Sequence, residues 1–88
     1  MKVFFHKYFQ KRFGKSSNRV KDKFDIQLEL FYENLYDERL NNHELHGKYA
    51  KHRSINVTGD IRAVYRKIDT TTDDVIFVDI GTHGELYS

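Results

Sequence analysis

The hydrophobic period of this chain changes once, and that change limits its fold more than any other feature. Val20, Phe24, Leu28, Phe31 and Leu35 recur at helical spacing, predicting a helix from Ser17 to Asn34. Beyond Ala50 the period becomes two. His52–Val57 alternates Arg53, Ile55 and Val57 against Ser54 and Asn56, and Thr58-Gly59-Asp60 reads as a tight hairpin turn. Ile61–Ile68 is a second strand, Thr70–Asp74 a polar turn, and Val75–Ile80 a third strand rich in β-branched residues. Upstream, Val3, Phe4 and Phe5 give a short β-prone start. Tyr8–Phe13 follows as a short helix that stops at Gly14, and Ser16-Ser17-Asn18 offers N-cap residues to the longer one. Tyr36–Ala50 has no period and reads as a polar connection, and Gly81-Thr82-His83-Gly84 is expected to break the last strand. The order β-α-α-β-β-β predicts an α+β domain. Its antiparallel-dominated, twisted sheet carries two N-terminal helices on one face and leaves the other open.

Eighty-eight residues allow one domain, 1–88, with a modest core. The absence of cysteine excludes disulfides, thiolate metal sites and cysteine nucleophiles together. No apolar run approaches the ~18–20 residues that cross a bilayer, and charges interrupt every apolar stretch of Met1–Phe13, so a cytoplasmic protein is expected. The net charge of +2 conceals an asymmetry: residues 1–23 carry +7, residues 24–44 carry −5, and the rest balances. A basic surface beside an acidic one attracts phosphates, or is simply a solvated helical face.

Five histidines are the groups best suited to move protons near neutral pH. His43 and His46 have no cysteine or carboxylate cluster to complete a metal site, so neither metal nor cofactor is expected. His83 lies between Gly81 and Gly84, either as a general acid or base or as a surface turn residue. Arg62 and Arg66 fall four apart on the second predicted strand, on one face with Val64. With His83 nearby they suit a phosphodiester, although charged residues also line exposed sheet faces. Tyr87 either stacks on an unpaired base or lids the core. Asp60 either caps its own turn or orients a base beside Arg62.

Three runs resemble the YafQ-like branch of the RelE/ParE toxin superfamily: Asn42-His43-Glu44-Leu45-His46-Gly47, then Arg53 to Arg66, then Ile80-Gly81-Thr82-His83-Gly84-Glu85-Leu86-Tyr87. Their H-x-L-x-G, D-x-R-x-x-Y and G-T-H-x-x-L-Y patterns are short singly and specific in this order and spacing. The resemblance implies the toxin of a type II toxin–antitoxin system, a metal-independent endoribonuclease that cleaves mRNA on the ribosome. The 2′-hydroxyl would attack phosphorus to leave a 2′,3′-cyclic phosphate. By the same resemblance His83 would be the general acid, Asp60 or His43 the base, Arg62 the phosphorane-stabilising cation and Tyr87 a stacking platform. Arg66 and Asn56 would contact substrate, while Lys11, Arg12 and Lys15 would meet RNA phosphates. Some members carry histidine where this chain has Asn56, and tryptophan where it has Ile61. The implied partners are the ribosome and mRNA, a cognate antitoxin, and operator DNA through the antitoxin complex.

Two other functions fit the same fold: a non-catalytic inhibitor of a protein target, as in the gyrase-poisoning ParE branch, and an RNA-binding module without turnover. Neither needs the G-T-H histidine, so His83 discriminates between them and the nuclease.

Overall fold

The computed structural model describes residues 1–87. Strand β1 (Val3–Phe5) leads into helix α1 (Lys7–Gly14) and helix α2 (Asn18–Glu33). Two single-turn 3-10 helices, Glu38–Leu40 and Gly47–Tyr49, flank the short strand β2 (His43–Glu44). Strands β3 (Arg53–Asn56), β4 (Ile61–Lys67) and β5 (Val75–Thr82) follow, and α3 (His83–Tyr87) is the last described element. The sheet order is β1-β5-β4-β3-β2, with β1 parallel to β5 and every other pairing antiparallel.

The helices begin where their caps are. The Ser17 hydroxyl accepts from the Val20 N–H at the start of α2, and the His6 Nδ1 accepts from the Tyr8 N–H at the start of α1. Phe9, Phe24 and Phe31 come down from α1 and α2 onto Ile55, Ala63, Tyr65, Val75 and Phe77 of the sheet. This layer is largely aromatic. Phe9 lies 5.5 Å from Phe24 and 5.8 Å from Phe77, and Phe31 stands edge-on to Tyr65 at 4.9 Å. Gln27, buried in the same layer, donates from Nε2 to the carbonyls of Arg39 and Asn56 and so pins α2 to β3.

Three features depart from the sequence reading. The polar connection holds a two-residue strand, β2, which pairs His43 with Ser54 and Glu44 with Arg53. The third predicted strand does not break at Gly81 but runs on to Thr82, followed at once by α3. A reciprocal cap makes that junction: the Thr82 N–H donates to Glu85 Oε1, and the Glu85 N–H donates to Thr82 Oγ1. The second sheet face is therefore not wholly open. Leu45, Tyr49, Val64 and Leu86 bury one another there, with Val78 alongside, so α3 and the Gly47–Tyr49 turn cover part of it. Among the described residues no helix is long and apolar enough to cross a membrane.

Candidate active site

The second sheet face carries a cleft of about 420 Å³ between the β2–β3 edge, the β3–β4 hairpin and α3. His43, Asp60, Arg62, His83 and Tyr87 all line it. Residues from three distant stretches thus meet at one opening, because β4 sits between β3 and β5 and each strand delivers alternate side chains to this face.

His43 is oriented from behind. Its Nδ1–H donates to the Asn41 carbonyl at 2.8 Å, which leaves the Nε2 lone pair on the Ser54 Oγ side, 3.4 Å away. Asn41 holds the left-handed conformation at φ 47°, and that turn presents its carbonyl to the imidazole. On the opposite wall, His83 opens α3 and Tyr87 stands one turn later, with ring centroids 4.8 Å apart.

The hairpin supplies the other two groups through Thr58. Its hydroxyl donates to Asp60 Oδ1 at 2.9 Å and accepts the Ile61 N–H at 3.1 Å, closing the turn. Arg62 Nη1 donates to the carbonyls of Thr58, Gly59 and Ile61 at 3.2–3.3 Å, so its guanidinium lies along the hairpin at the cleft margin. Asn56 faces Arg62 across the β3–β4 ladder, on the face that Ser54 also presents. Its Oδ1 is buried without a hydrogen-bond partner among the described residues.

The remaining predicted contacts lie elsewhere. Arg66 shares the face of Arg62, but four residues of strand separate them by about 13 Å, and it lines other grooves beyond the bulge at Val64/Tyr65. Lys15 borders a different pocket together with Arg12, and Lys11 lies on the exposed side of α1. Arg12 is occupied by the fold: its Nη1 donates to the Ile80 carbonyl at 3.3 Å and lies 3.5 Å from Asp79 Oδ1. Sequence reasoning missed Ser54 and Thr82, which add hydroxyls to the cleft, and Leu45, Val64 and Leu86, which floor it. The spacing Thr82-x-x-Glu85 was the available signal for α3. Among the described residues no group of three or more His, Asp or Glu side chains converges as a metal site.

A family model described as the bacterial toxin of a type II toxin–antitoxin system, YafQ, matches residues 1–88. The chain belongs to the YafQ toxin family. YafQ from Escherichia coli BL21(DE3) superimposes with a TM-score of 0.79 at 19% identity, over 98% of this chain and 97% of that one. The YafQ of the E. coli DinJ–YafQ toxin–antitoxin complex matches with a TM-score of 0.75 at 21% identity, over 98% and 96%. A conserved hypothetical protein from Helicobacter pylori matches with a TM-score of 0.67 at 25% identity, over 99% of both chains. No curated protein sequence matches.

Proposed function

We propose that this YafQ-family toxin is a ribosome-dependent endoribonuclease and that the His43/His83 cleft is its active site. The observation that carries the reading is the pairing of two histidines on opposite walls of one cleft, with a guanidinium and a carboxylate at its margin. His43 takes the proton of the 2′-hydroxyl through Nε2, the nitrogen left unprotonated by the bond from Nδ1–H to Asn41. The 2′-oxygen bonds to phosphorus as the P–O5′ bond breaks, and protonated His83 gives its proton to the departing 5′-oxygen. The products are a 2′,3′-cyclic phosphate and a free 5′-hydroxyl. Arg62 meets the charge that builds on the phosphorane, exchanging one or more of its turn carbonyls for a phosphoryl oxygen. Asp60 keeps Arg62 and the hairpin in place through Thr58, which favours His43 over Asp60 as the base.

Tyr87 offers its exposed ring to a base, whereas Asn56, whose Oδ1 is buried and which does not line the cleft, has no substrate contact in this mechanism. Lys11 and Lys15 attract ribosomal RNA phosphates. The cell contains the activity with a cognate antitoxin, as the E. coli DinJ–YafQ complex illustrates for that toxin. The antitoxin also supplies operator binding. The test is primer extension on a reporter mRNA in a reconstituted translation reaction, with wild type beside His83→Ala. Cuts within codons, seen only with wild type and only during translation, are expected. No cuts from folded, antitoxin-free protein would overturn the nuclease reading in favour of a binding inhibitor.

A further inference from the structure

The cleft wall that carries His83 is five residues long, and such a helix has little stability of its own. The Thr82–Glu85 cap holds its start, and the Gly47–Tyr49 turn holds its far end. Lys48 Nζ donates to the Leu86 carbonyl at 3.0 Å, occupying an end-of-helix acceptor. Tyr49 meets the Tyr87 ring edge-on at 5.6 Å, and Tyr87 in turn lies against His83 at 4.8 Å. Tyr49 is itself fixed: it is 8% exposed, and its hydroxyl donates to Asp79 Oδ2 at 2.7 Å. Burial and the Asp79 carboxylate push the phenol far above its ordinary value, so it stays a donor. Asp79 completes its own set with the Ile80 N–H at 2.8 Å and with Arg12 from α1.

We propose that Tyr49 is a positioning residue for the candidate acid, setting the place of His83 through Tyr87 and taking its own place from Asp79. This rests on the nuclease reading for its consequence, but not for its geometry. A ring pinned at its hydroxyl gives the Tyr87 ring a fixed partner to pack against. With the backbone of His83 set by the Thr82–Glu85 cap, the depth of its imidazole in the cleft is set by the Tyr87 ring packed against it. Proton transfer to a leaving oxygen needs that depth within tenths of an ångström, and a misplacement of 1 Å costs on the order of a hundredfold in rate.

The experiment compares wild type, Tyr49→Phe and Tyr49→Leu by two readouts. The first is the ring carbon–proton signals of His83 in heteronuclear NMR, which sense the stacked Tyr87 ring and need no RNA. The second is single-turnover cleavage in the translation reaction. Tyr49→Leu is expected to move the His83 ring signals towards those of a solvent-exposed histidine and to slow cleavage by roughly ten- to a hundredfold, with unchanged KM. Tyr49→Phe, which keeps the ring and loses the Asp79 tie, is expected to move the same signals the same way by less and to slow cleavage by a smaller factor than Tyr49→Leu. If Tyr49→Leu does not fold, the Tyr49→Phe signals decide the matter. Unmoved His83 signals in every folded variant would overturn the proposal. Shifted signals in a wild-type background that never cuts RNA would leave the positioning intact and overturn the nuclease reading instead.

Discussion

Gly81 carries a specific load that a single methyl group would expose. An alanine Cβ built there lies 2.8 Å from Arg12 Nη1, 3.1 Å from Glu85 Oε1 and 3.2 Å from Glu85 Cβ. Its backbone lies outside the left-handed region, so Gly81→Ala carries no φ penalty and gains about 0.4–1 kcal/mol from the stiffer unfolded chain. Against that gain, the guanidinium must withdraw from the Ile80 carbonyl and from Asp79. Arg12 is 28% exposed and Asp79 7%, so the interaction is partly dry. At 3.3 and 3.5 Å it belongs at the weak end of charged hydrogen bonds, about 1.5–2 kcal/mol. The net expectation is a loss of about 1 kcal/mol, or ~4–8 °C in Tm for a domain of this size. Calorimetry on wild type, Gly81→Ala, Arg12→Ala and the double variant separates the causes. With Arg12 truncated, the methyl meets only Glu85, and Gly81→Ala becomes neutral to within about 0.5 kcal/mol. The cycle then gives a coupling of about 1 kcal/mol. Additive losses would refute the argument and move the cost to Glu85.

Three further outcomes follow from the contacts. Gln27→Leu leaves the Arg39 and Asn56 carbonyls without their buried donor, and it is expected to cost about 1–3 kcal/mol, seen as a lower urea midpoint at unchanged slope. Glu85 is held below its ordinary value of 4.5, chiefly by the Thr82 N–H, so its charge stabilises the fold above that value and the contribution is lost as pH falls through the depressed one. Thermal melts of wild type and Glu85→Gln should therefore differ most at neutral pH and converge in acid; a gap that widens in acid would reverse the sign. Charge reversal at Lys11 and Lys15 should weaken binding to ribosomes and reduce the salt slope by about 1 per lysine, measured by co-sedimentation across ionic strengths. An unchanged slope would place those lysines outside the RNA contact.

Periodicity made α2 and β3 legible because one side of each packs into the aromatic layer, and packing on one side imposes a period, whereas β5 showed itself by its β-branched residues. The cap residues narrowed α2 almost to its ends, since Ser17 is the residue that satisfies its first free N–H groups. Where burial is slight, the signal fails. β2 is two exposed residues whose pairing with β3 comes from tertiary context, so nothing in the run from Tyr36 to Ala50 announces it. α3 was concealed for the opposite reason: Gly84 reads as a breaker, yet the Thr82–Glu85 cap outweighs its propensity cost over so short a helix. The site divides along the same line. His43, Asp60, Arg62, His83 and Tyr87 were named from residue type and motif order, and the sheet brings them to one cleft. Charge alone does not say where Arg12 goes: a cation counted as surface in a basic third is engaged by the edge that β1, three residues long, leaves uncovered on β5. A count of lysines and arginines gives a field, whereas which cations remain available to RNA depends on where the sheet runs out of strands. By that rule the RNA contact proposed for the basic third should draw on exposed cations such as Lys11 and Lys15 before Arg12, which the sheet edge already engages.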